Sequence, residues 1–130
     1  MTAVSDLRRC VQALALPASV QVSLFPDFAV VGDELGIQFG DALVAYRSSA
    51  ATPVSAQTIA LKQLDEYLSQ LSGEENSSFW VDPSALVFDA RWQRVRDLAR
   101  AVLSTFGWPD EPPPRDGATY VGVHGVVHNR

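Results

Sequence analysis

Apolar residues fall two apart in the first half of this chain and three or four apart in the second, so it reads as a pleated ribbon followed by helices. Val20, Val22 and Leu24 alternate with Ser19, Gln21 and Ser23, and Leu35, Ile37 and Phe39 alternate with Gly36, Gln38 and Gly40. Such alternation gives a sheet one dry face and one wet face. Pro26-Asp27, Gly32-Asp33 and Gly40-Asp41 each supply a residue that fixes or frees φ between apolar stretches. The segment from Ser19 to Ser48 is therefore predicted to form a four-stranded antiparallel meander.

Helical spacing frames that segment. Val4, Leu7, Val11 and Leu14 predict a short first helix that Pro17 ends, with Cys10 beside Val11 and Leu14 as a small buried hydrophobe. A second helix, starting at Thr52-Pro53 or at Ser55, carries Leu61, Leu64, Leu68 and Leu71 before Gly73 closes it. Two heptads are too few for a coiled coil, so this stripe is expected to dock on the sheet. A polar acidic loop follows, from Gly73 to Pro83. The third helix carries Phe88, Trp92, Val95, Ala99, Val102 and Phe106, capped by Asp89 and stopped by Gly107, with Asp82-Pro83 as an earlier start. The prolines from Pro109 to Pro114 make a stiff connector. Thr119, Val121, Val123 and Val127 then alternate with polar and small residues as a final strand. The expected architecture is a single α+β domain over 1–130. In it an antiparallel four- to five-stranded sheet, the meander plus the C-terminal strand, is packed on one face by two or three helices.

Length and composition suit one core. A chain of 130 residues, 47% hydrophobic and 19% charged, buries roughly two thirds of its unfolded surface without a staple or cofactor. The formal net charge of −5 repels polyanions, which argues against nucleic acid and anionic membrane as partners. A single cysteine excludes an intrachain disulfide and favours a reducing compartment. The charged N-terminus lacks the apolar stretch of a signal peptide, and no long uncharged apolar run exists, so the protein is read as cytoplasmic.

Several chemistries find no support in the residues. His124 and His128 stand four apart, but on a strand that spacing separates them by about 13 Å, too far to share an ion held at about 2 Å. No Gly-x-Ser-x-Gly elbow is present, and no Gly-Lys-Ser/Thr follows Gly32, Gly36 and Gly40, which read as turns and a weakened strand. Arg91, Arg94, Arg96 and Arg100 diverge around the third helix, and Asp97 is placed to pair with Arg94 or Arg100. No catalytic residue, cofactor site or metal site is assigned.

Surface that could bind a partner remains. Glu74 and Glu75 precede the adjacent aromatics Phe79 and Trp80, and Trp108 opens the proline connector. Aromatic residues rimmed by charge make good interface anchors. The expectation is a non-enzymatic protein–protein interaction module, an adaptor, chaperone or immunity-type inhibitor that engages a basic protein. The alternative is a small-molecule-binding protein or enzyme with a pocket between sheet and helices, using Tyr46, Tyr67, Tyr120 or His124. Self-association through a helix face or the edge of the last strand is a third possibility.

Overall fold

A computed structural model describes residues 2–49 and 55–114, and the backbone of 119–122 and 125–128. Where the meander was expected the chain is helical. Helix α1 (Ala3–Ala15) is followed by α2 (Ala18–Ser23) and by α3 (Val31–Ser49). The α+β assignment is thereby overturned: the body is built from helices, and among the described residues no sheet underlies them.

Burial shows why alternation misled. Leu35 and Phe39 are buried, yet Ile37 between them is half exposed. On a strand all three would share a face, whereas on a helix the middle residue turns about 200° away. The true stripe is Val31, Leu35, Phe39, Leu43 and Tyr46, spaced four, four, four and three. In α2 the inversion is complete, because Gln21 is buried while Val22 is exposed.

The flanking helices follow their caps. Thr2 accepts from the backbone N–H of Ser5 at 3.1 Å and starts α1. Ser55 accepts from Thr58 N–H at 3.2 Å and starts α4 (Ala56–Gln70); the alternative start at Thr52-Pro53 lies outside the described residues. After a 3-10 turn at Glu74–Asn76, the segment expected to be a loop forms α5 (Ser77–Val81). Asp82 and Asp89 then cap α6 (Pro83–Phe88) and α7 (Ala90–Phe106). Gly107, at φ 70°, ends α7 in the left-handed conformation that glycine adopts without strain.

Helix α7 is the centre of the body. Both α1 and α4 pack on it, while α3 lies on α1 and reaches α5. Leu61, Leu64, Leu68 and Leu71 are buried as a stripe, but they dock towards α7 rather than on a sheet. Trp92, Val95, Ala99 and Val102 of α7 are buried as well, whereas Phe88 belongs to α6 and is 82% exposed.

Beyond α7, Trp108 stacks on Phe106 with ring centroids 4.1 Å apart, and the proline connector turns back along α1. Gln12 Nε2 donates to Pro109 O at 3.1 Å and Arg9 Nη2 to Pro114 O at 2.8 Å. The chain is thus led towards the N-terminal half of α1. The expected final strand is one of a pair: β1 (Thr119–Gly122) lies antiparallel to β2 (Gly125–His128), with Thr119 opposite His128 and Gly122 opposite Gly125. The two strands pair with each other, and among the described residues there is no meander for them to join. Val123 and His124 lie outside the described residues.

Candidate partner-docking groove

Gly32 and Gly36, four apart on α3, leave a flat strip on that helix. A Cβ at Gly36 would stand 2.5 Å from Trp80 Cζ3, and one at Gly32 would stand 2.6 Å from Trp80 O. Only glycine lets α5 approach this closely. The Trp80 indole donates from Nε1 to Leu71 O at 2.8 Å, which fixes its orientation. Phe79 stacks on Trp92 at 4.4 Å and 8°, and Trp80 meets both rings edge-on at 4.8 and 5.9 Å. Trp92 Nε1 in turn donates to Phe79 O at 2.8 Å. These contacts make a rigid aromatic block.

Outward from that block opens an apolar groove of about 290 Å³, between the connection from α2 to α3 and the junction of α5 with α6. Val22, Phe25, Val30, Trp80, Val81 and Leu86 supply its walls. Val22, Val30 and Val81 are each about half exposed, so apolar surface faces solvent here. Asp27, on the α2–α3 connection, and Asp82, at the start of α6, both line it, and neither Lys nor Arg is among its described lining residues. The hydroxyl and backbone N–H of Ser84 hold the Asp82 carboxyl below the usual carboxylate range. Burial, with Asp33 beside it, pushes the Glu34 carboxyl up.

A buried polar network carries the groove wall. Arg96, only 4% exposed, donates from Nε to Leu16 O at 3.0 Å. Its Nη2 donates to Leu86 O at 2.6 Å and to Gln21 Oε1 at 3.0 Å. Gln21 Nε2 donates onward to Ala13 O at 3.0 Å and Leu14 O at 3.2 Å. Carbonyls at the end of α1 thus find side-chain donors, and α1, α2, α6 and α7 are tied at one point. Burial and the nearby Arg100 pull the Arg96 guanidinium below its usual value.

The residues singled out from sequence are dispersed. Trp80 lines the groove, and Glu74 and Glu75 are exposed on the turn before α5. Phe79 is fully buried and has no surface to offer. Trp108 is half-buried against Phe106, beyond the far end of α7. Tyr46 packs edge-on to Phe106 at 6.3 Å, and neither it nor Tyr67 lines the groove. The Cys10 thiol donates to Gln38 O at 3.4 Å, and burial pushes it up to about 12. The arginines do not converge: Arg91 pairs with Asp89 at 2.7 Å, Arg96 is internal, and Arg100 pairs with Asp97 at 3.1 Å.

Sequence reasoning missed Val30, Val81, Asp27 and Asp82. The available signal was a matched pair of dipeptides, Pro26-Asp27 and Asp82-Pro83, each with large apolar residues close by. Among the described residues no group of three His, Cys, Asp or Glu side chains could hold a metal ion, and no helix is long and apolar enough to cross a membrane. Comparison with protein-family models, curated proteins and solved structures finds no match to this chain.

Proposed function

We propose that this protein is a non-enzymatic interaction module that docks a basic protein partner in the groove between the α2–α3 connection and the α5–α6 junction. The observation that carries this reading is an apolar cleft with exposed valines, two acids in its lining and no cation among its described lining residues. Apolar surface gives such a contact its affinity, and complementary charge steers the encounter. A second copy of the chain is disfavoured as occupant, because a two-fold contact over this groove would bring its two acids together with those of the other copy.

A photo-crosslinking residue in place of Val81, compared with one in place of Lys62 on α4, tests the reading in the native host. The expected result is a dominant adduct to one protein with a basic surface, formed from position 81 only. Absence of that adduct, or the same adducts from position 62, would sink it. The second reading is a small apolar ligand, favoured by the cavity itself, although about 290 Å³ is at the bottom of the range for ligand pockets. A ligand at 100 times its Kd would raise stability by about 2.7 kcal/mol, which a thermal-shift screen of metabolites would detect.

A further inference from the structure

Resting on that reading, we infer that the groove selects a partner segment in which one large aliphatic or aromatic side chain stands between two cationic residues. Size sets the first element. A space of about 290 Å³ equals roughly ten waters at ~30 Å³ each, enough for one bulky side chain and its neighbours but not for a folded element. The lining from Val22 and Phe25 on one side to Trp80 and Leu86 on the other is apolar, so the anchor is apolar too.

Position sets the second element. Asp27 stands on the α2–α3 connection and Asp82 at the start of α6, so each of the two chain segments that wall the cleft contributes one acid to its lining. An anchor seated between those walls carries its flanking residues outward on both sides, and each flank meets an acid. A single cation on one side would leave the other carboxylate without a counter-charge.

Rigidity sets the third. Trp80 is held by the bond to Leu71 O and by the glycine strip, and Leu86 is held through its carbonyl by Arg96. That wall is therefore formed before the partner arrives, and little ordering cost remains to be met on binding.

A random peptide library displayed on phage, panned against the full chain and counter-selected on the Val81→Glu variant, tests the inference. Val81 is more than half exposed, so the variant is expected to fold, and far-ultraviolet dichroism checks this. Enriched peptides are expected to carry Leu, Ile, Met, Phe or Trp with Lys or Arg on both sides. Binding of the consensus peptide is expected to weaken about three- to tenfold in Asp27→Asn/Asp82→Asn, and to weaken with added salt. Enrichment of peptides without flanking cations, or equal binding to the double variant, overturns the inference while leaving the crosslinked partner intact as support for the interaction reading. Failure to enrich any peptide over the Val81→Glu variant also overturns it, and absence of a crosslinked partner overturns the reading beneath it.

Discussion

The Cα of Gly36 and the indole of Trp80 are so close that a single added carbon would fall 2.5 Å from Cζ3. Adding it should push the indole off α3 and loosen its edge-on contacts with Phe79 and Trp92. Gly36→Ala is expected to lose about 1–3 kcal/mol, the usual cost of overpacking. Gly32→Ala should cost at least as much, since its Cβ would meet a backbone carbonyl at 2.6 Å. Gly40 has no neighbour within 4 Å of that position, so Gly40→Ala should gain up to about 1 kcal/mol from helix propensity. Urea unfolding of the three variants checks the order, and a loss at Gly40 equal to that at Gly36 would contradict it.

Arg96 satisfies three buried acceptors at once. Arg96→Met keeps the apolar stem but leaves Leu16 O, Leu86 O and Gln21 Oε1 without this donor. At about 1–3 kcal/mol for each orphaned acceptor, a loss of about 3 kcal/mol or more is expected. Combining it with Gln21→Leu removes one of those acceptors, so the double variant should lose less than the sum of the singles. Strict additivity would show that the two side chains are not coupled.

Asp89 caps α7 and pairs with Arg91. Asp89→Ala should destabilise by about 1 kcal/mol, while Asp89→Asn should keep most of the cap because its amide oxygen still accepts from Arg91 N–H. The Arg91 side chain holds the Asp89 carboxyl below its ordinary 3.8. Its contribution is therefore fully present above that pH and is lost as pH falls through the lower folded value. Asp89→Asn should flatten that part of the acid limb, measured as midpoint against pH from 2 to 6.

Cys10 gives the opposite sign. Its thiol titrates at about 12 in the fold against 9.0 when unperturbed, through burial and then Asp6. Full stability from this group is present below pH ~9 and is lost as pH rises towards ~12, because the unfolded chain ionises first. Cys10→Ala should reduce that alkaline decline. Native protein at pH 8 should label with a thiol reagent far more slowly than urea-unfolded protein.

Three helices were legible because apolar spacing agreed with a start or stop signal: Leu7 to Leu14 and Pro17 for α1, Ser55 and the four leucines for α4, Asp89 and Gly107 around α7. Between Val20 and Tyr46 two patterns overlapped. Leu35, Ile37 and Phe39 suggested a strand, and the longer stripe from Val31 to Tyr46 was the one that packing selected. Glycines every four residues looked like turns because their use appears only once Trp80 rests on them. For the same reason only Trp80 of the groove was found in advance. Val22, Asp27, Val81 and Asp82 converge from separate helices and connections, and nothing local in the chain links them.

The bonds that Gln12 and Arg9 make to Pro109 and Pro114 have a practical outcome for binding measurements. Leu16 at the other end of α1 is tied through Arg96 to Leu86, and so to the groove, while Pro114 starts the tail beside Arg9. Arg9→Ala, which removes the bond to Pro114 without touching the Leu16–Arg96–Leu86 tie, should therefore leave binding at the groove unchanged.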